Sequence, residues 1–234
     1  MKEDICTIPV NEVFAQKDGC PICRMRNELE LRALDFVMGA AMMEPSVRHE
    51  TNRFGFCPEH FGKMKGMKNH LSLALMLESH LMEIDNAVFE KCKPTVLRGS
   101  IKSAEESGRE AAGIVSSCYV CDRMERSLRH ELETLFVMWK KDAGFRDDVA
   151  SQKGYCLPHY ALLVEIGQKS LDKKSFPEFY DAVSKVTRTA LKALTEDATA
   201  FCKMYDYHNN GADFGGLRDS VRNSIAFLTG GRTV

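Results

Sequence analysis

The sequence predicts an all-α protein, and three observations carry that expectation. Apolar residues recur at steps of three and four through each long segment, as they do on one face of a helix. No period-two run of β-branched residues stands between turn signals, as a half-buried strand requires. A metal-ligand pattern occurs twice, each time where a helical stretch begins: Cys20-x2-Cys23 with Cys57-x2-His60, then Cys118-x2-Cys121 with Cys156-x2-His159. The intervals inside the two sets nearly agree, 33 residues between Cys23 and Cys57 and 34 between Cys121 and Cys156. The expected architecture is two pseudo-repeats of a zinc-knotted helical unit packed into one helical body. Its expected parts are a first metal-binding repeat at 1–92, a linker at 93–117, a second repeat at 118–208, and a C-terminal loop with a short helix at 209–234.

The elements follow in chain order. Met25, Leu29, Ala33, Phe36, Val37 and Ala40 predict an amphipathic helix from the first Cys pair to about Ala41. A polar return connection leads to Gly55-Phe56-Cys57. From about Lys68 to Lys91, Leu71, Leu75, Met82, Ile84 and Val88 predict a long, largely buried helix. Pro94 to Ser117 is rich in Gly, Ser, Lys and Glu and reads as the linker, with a short helix near Ser103–Ala112. Val120, Met124, Leu128, Leu132, Leu135 and Trp139 repeat the first pattern, and Phe-Val-Met stands at both 36–38 and 136–138. After His159 a short helix is expected to about Ile166, and a longer one from Pro177 to about Tyr207. The Gly- and Asn-rich break at 208–216 then precedes a short helix near Leu217–Leu228, and the final residues from Thr229 are expected to fray.

Composition bounds the function. With 234 residues, 44% of them hydrophobic, the chain can bury a real core. Its 32 basic and 33 acidic side chains nearly cancel, so no global field draws it to nucleic acid or to an anionic membrane. Arg24, Arg26 and Arg32 alternate with Glu28 and Glu30, a mixed-sign pattern that reads as solvated helix surface rather than a phosphate track. The longest apolar run, Leu71–Leu77, is far short of a membrane span, and the opening Met-Lys-Glu-Asp has no signal-peptide apolar region. The expected location is the cytoplasm. There, paired cysteines with nearby histidines read as metal ligands rather than disulfides, and the three others, Cys6, Cys92 and Cys202, lie far apart in sequence.

Each ligand set offers three thiolates and one imidazole, which fill a tetrahedral zinc. Catalytic zinc keeps a position open and seldom carries so much thiolate. Two structural zinc ions are the expectation, with an iron–sulfur cluster or another redox metal as the alternative. A thioredoxin-like role for Cys20-Pro21-Ile22-Cys23 lacks the βαβ setting it needs. Pairing within each repeat would join Cys20 and Cys23 to Cys57 and His60. A helix of about 18 residues travels roughly 27 Å, so residues 42–56 would then have to return that distance in extended form. Crossed sites, with Cys20 and Cys23 joining Cys156 and His159, are the other solution. The matched intervals favour local closure.

Glu44, Arg48 and His49 lie in a loop, Met43 to Arg53, dense in groups suited to acid–base or anion-binding work, without a counterpart in the second set. It reads first as a solvated return loop, and as the leading location for a pocket if the protein has a small-molecule site. His70 and His80, ten residues apart, do not share a helix face.

Thr7-Ile8-Pro9-Val10, Cys20-Pro-Ile-Cys23, the run from Met43 to Arg48 with Thr51-Asn52, Gly55-Phe-Cys-Pro-Glu-His60 and Leu73-Ala-Leu75 together resemble a bacterial family catalogued as a domain of unknown function. The resemblance covers most of the chain, second ligand set included. It implies a bacterial, cytoplasmic, helical metal-binding protein and brings no activity or partner with it. The reading favoured is non-enzymatic: an interaction or ligand-binding regulatory module, with a protein or small molecule as partner. The alternatives are a redox-metal protein and an enzyme with a pocket near Glu44, Arg48 and His49.

Overall fold

The structure, a computed structural model, describes residues 6–95, 99–206 and 213–231. Among them every regular element is helical, as expected. In chain order these are α1 (Ile8–Ala15), α2 (Pro21–Met38), α3 (Pro45–Phe54), α4 (Pro58–Gly66), α5 (His70–Ile84), α6 (Ser100–Val115), α7 (Tyr119–Lys141), α8 (Ala143–Ala150), α9 (Leu157–Ser170), α10 (Ser175–Lys203) and α11 (Ser220–Thr229). Short 3-10 turns at Ala40–Met43 and Gly215–Asp219 and a π-helical segment at Asp85–Glu90 complete them. The helices expected after the Cys pairs are α2 and α7. α1, α3 and α8 carry too few turns to show a period, and the linker helix, α6, is longer than its sequence suggested. Part of the linker and of the 208–216 break, and the last three residues, lie outside the described residues.

The chain forms two compact units, and neither follows the expected linear division. One comprises Met1–Asn27 and Leu128–Val234, the other Glu28–Ser127. The boundaries fall inside α2 and α7, so each of these helices begins in one unit and ends in the other.

The core of the 28–127 unit gathers Leu34, Val37, Met38, Met64, Met76 and Tyr119. Phe56 stands edge-on to Phe61 and to Tyr119, with centroids 5.4 and 6.3 Å away. Long-range backbone ties fold the segment before α7 onto the end of α3: Tyr119 N–H donates to the Gly55 carbonyl at 2.9 Å, and Ser117 Oγ to the Phe54 carbonyl at 2.7 Å. Asn69 caps α5 by accepting from Ser72 N–H at 3.2 Å, and its amide donates to the Met38 carbonyl at the end of α2 at 2.9 Å. α5 is less buried than its apolar content suggested: Leu71, Leu81 and Met82 are each more than 60% exposed, while Ser72, Met76 and His80 face inward.

The other unit is built on aromatic packing. Phe179 stands edge-on to both Phe136 and Trp139, at 5.1 Å each, and Phe14 meets Phe145 at 5.1 Å. Here too the ties are long-range. The Gln152 amide donates to the Phe14 carbonyl at 2.8 Å, and Lys17 Nζ reaches the Asp148 carboxylate and carbonyl at 3.0 Å. These bonds set the N-terminal segment that leads into Cys20 against the chain that leads into Cys156.

Candidate metal centres

All eight sequence-predicted ligands fall into two clusters, and the clusters are crossed. Cys20 and Cys23 meet Cys156 and His159, while Cys57 and His60 meet Cys118 and Cys121; within each cluster the donor atoms lie within 4.8 Å of one another. Local closure within each set is therefore corrected. The physical reason is α3: the return segment is a helix that packs on α5 and leaves Phe56 in the core with Val37 and Met38, so Cys57 stays at the far end of α2 from Cys20 and Cys23. Each Cys-x2-His instead closes on the Cys pair that the long-range hydrogen bonds bring beside it.

The local structure prepares the donors. Cys57 and Cys156 are the N-caps of α4 and α9, each with a proline in the first turn, and the Cys pairs stand at the starts of α2 and α7. Proline fits the first helical turn, where an N–H has no partner to lose. The positive ends of the helices face the sulfurs and favour thiolate. Gly55 supplies the turn before Cys57 with φ +54°, and a Cβ there would come within 2.7 Å of His80 Nε2. At the matching place Gly154 is needed for space alone, since its Cβ would stand 2.7 Å from that of Ala190.

The distances fit a single tetrahedral ion. With metal–sulfur bonds of about 2.3 Å and a metal–nitrogen bond of about 2.0–2.1 Å, tetrahedral edges are about 3.8 Å between sulfurs and about 3.5 Å from sulfur to nitrogen. His60 Nδ1 lies 3.1, 3.3 and 3.4 Å from the sulfurs of Cys57, Cys118 and Cys121, and the Cys57 and Cys121 sulfurs are 3.9 Å apart. His159 Nδ1 lies 3.1, 3.3 and 3.6 Å from Cys156, Cys23 and Cys20, and the Cys23 and Cys156 sulfurs are 3.6 Å apart.

Electrostatics make the same point. The hydrogen bond from Cys121, followed by that from His60, holds the Cys118 thiol down to about 3 against burial, and in turn Cys118 and burial push Cys121 up. In the other cluster Cys156 and Cys23 hold Cys20 well down, while Cys20 pushes Cys156 up to about 12, and Cys156, Cys20 and burial push Cys23 up. Cys118 and Cys20 ionise readily while Cys121, Cys23 and Cys156 resist, because adjacent thiolates repel. A cation at the centre is what lets all three ionise together.

Sequence reasoning missed the support around His60. Glu30, read as solvated surface, is only 7% exposed. His60 Nε2–H donates to its Oε1 at 2.9 Å, and Lys63 Nζ donates to its Oε2 at 2.7 Å. For His60, burial opposes the charged imidazole, but Cys118 and Glu30 outweigh it and the shift is upward. A signal was present: Glu30 stands one turn before Leu34 and two before Val37, on the apolar stripe of α2, where a solvated carboxylate does not belong.

The 28–127 unit also holds an open cleft of about 430 Å³, lined by His49, Asn52 and Arg53 of α3 with Glu83, Cys92 and Glu110 among its other walls. Glu44 and Arg48 do not line it: Glu44 stands at the N-cap position of α3, with no side-chain bond to the helix. His80 hydrogen-bonds the Asn52 carbonyl at 2.8 Å. Among the described residues no helix is long and apolar enough to cross a membrane.

Comparison with protein families matches residues 1–234 to the Family of unknown function (DUF6062), and the chain belongs to that family. No curated protein and no solved structure matches it.

Proposed function

We propose that this family member is a zinc protein in which each cluster holds one ion as a structural staple, and that it works as a non-enzymatic interaction or ligand-binding module in the reducing cytoplasm. The observation that carries the reading is the completeness of both donor sets: three sulfurs and one imidazole nitrogen at tetrahedral spacing, with no position left for water or substrate. When bound, zinc would supply charge neutralisation and cross-linking, tying the starts of α2 and α9 in one unit and of α4 and α7 in the other. Metal binding to such donors is folding energy, because the unfolded chain has no preformed site.

An iron–sulfur cluster finds less support, since donor atoms within 4.8 Å of one another leave room for one ion but not for several irons with bridging sulfides. All nine cysteines are free thiols, the form that metal binding draws on in a reducing compartment. The cleft at His49, Asn52 and Arg53 favours a small-molecule ligand over a bare scaffold, because polar groups of both signs converge on it. Elemental analysis and the visible spectrum of protein purified without air test the proposal. Two zinc per chain and no colour are expected; iron with acid-labile sulfide would replace it with redox chemistry.

A further inference from the structure

We infer that the two clusters hold metal unequally: Glu30, locked by Lys63, is a positioning residue that makes the His60 cluster the tight site, and the His159 cluster is the one that exchanges its ion. The inference rests on the reading of both clusters as metal sites and concerns what surrounds them.

A ligating imidazole is oriented, and made a better donor, by whatever accepts a hydrogen bond from its other nitrogen. In both clusters Nδ1 faces the sulfurs, so Nε2 carries the proton. For His60 that proton goes to the buried Glu30 carboxylate at 2.9 Å, whose second oxygen is occupied by Lys63 at 2.7 Å. The carboxylate is thus fixed at both ends, and the imidazole it holds is 1% exposed. Lys63 also bonds Glu59 at 2.8 Å, which anchors the ammonium on its own helix. The relay His60–Glu30–Lys63 joins α4 to α2 through a chain of charge-assisted bonds.

His159 has nothing comparable. Its ring contacts are all through Nδ1, and no described residue hydrogen-bonds its Nε2. The Cys23 sulfur in the same cluster faces the Gly230 carbonyl at 3.4 Å. A carbonyl oxygen has no hydrogen to offer a sulfur, so this neighbour gives the donor set no supporting hydrogen bond. Each cluster also has a backbone N–H bond to one sulfur, from Cys121 to Cys118 at 3.5 Å and from His159 to Cys156, so the clusters differ at the imidazole rather than there. Donor sets of the same composition therefore differ in support: a buried carboxylate and its lysine hold one imidazole, and among the described residues no side chain holds the other.

The test is a chelator titration of the full chain loaded with zinc, reading released metal, with E30Q and E30M as variants and 15N-histidine NMR as the second readout. Wild-type protein is expected to release its zinc in two steps. E30M, which keeps the volume and loses the acceptor, should weaken the tighter step by about 10–100-fold and leave the weaker one in place. E30Q, which keeps an acceptor and loses the charge, should fall between. The slowly exchanging Nε2–H signal of His60 should disappear in E30M, an effect that packing alone would not produce. Where E30M does not fold, E30Q carries the test, with the tighter step displaced and the weaker one unmoved. A single-step release in the wild type, or variants with the wild-type tighter step, would overturn the inference. Protein that retains no metal at all would overturn the zinc reading beneath it, which the two-ion, equal-hold result would leave standing.

Discussion

The His60 cluster is backed by a buried carboxylate and its lysine, and Tyr119 N–H and Ser117 Oγ bond to consecutive carbonyls immediately ahead of it. Among the described residues the His159 cluster has no imidazole relay of this kind, and it abuts the backbone carbonyl of Gly230. The same motif in the same helical setting thus acquires different support from residues outside it. The eight ligands specify a coordination chemistry; how firmly each cluster is held depends on residues that the motif does not contain.

Removal of a ligand has the largest expected effect. Structural zinc contributes about 10–16 kcal/mol of apparent binding energy in small zinc-finger peptides, as much as a whole domain's usual stability of about 5–15 kcal/mol. C118S should therefore lose one zinc and unfold the 28–127 unit, and C156S should do the same to the other unit. Hydrogen-exchange protection, followed unit by unit, checks this. Loss of protection spread equally over both units in either variant would break the comparison.

The two glycines before the Cys-x2-His motifs give the next effect. G55A forces a positive-φ backbone on alanine and drives its Cβ toward His80, at an expected cost of about 2–4 kcal/mol. G154A meets only the Ala190 methyl and should cost about 1–3 kcal/mol. Denaturant midpoints of the metal-loaded protein measure both. A190G should rescue G154A, whereas no trimming of His80 should fully rescue G55A, because its backbone conformation stays strained. Equal rescue in the two units would contradict this account.

N69A removes the α5 cap and the bond to Met38, and is expected to cost about 1–2 kcal/mol by thermal or chemical unfolding. The smallest effect is on the sign of a pH slope. The folded pKa of His60 is raised above 6.5, with Cys118 and Glu30 outweighing burial. In metal-free protein its contribution is therefore whole below pH 6.5 and fades as pH rises through the raised value. Zinc binding needs neutral imidazole and thiolates, so loaded protein should instead gain stability over the same rise. Unfolding midpoints against pH, with and without chelator, should show slopes of opposite sign.

Much of this was legible in the sequence. The stripes of α2, α7 and α10 are long enough to show their period, and the donor types at their spacing announce metal. Pairing was not legible, because matched intervals say nothing of which Cys pair the chain brings to which Cys-x2-His. Here that depends on the helicity of α3, a ten-residue segment too short and polar to reveal a period, and on backbone bonds such as Tyr119 to Gly55 that any residue types could make. Glu30 was legible in principle, as a charge on an apolar stripe, but alternating signs along α2 made it look like surface.

Metal counting in paired variants tests the central claim most directly. If the clusters are crossed zinc sites, wild-type protein binds two zinc, C57S/C118S keeps one because both changes fall in a single cluster, and C20S/C57S binds none because each cluster loses a ligand. One zinc retained by C20S/C57S together with none by C57S/C118S would contradict the crossed arrangement.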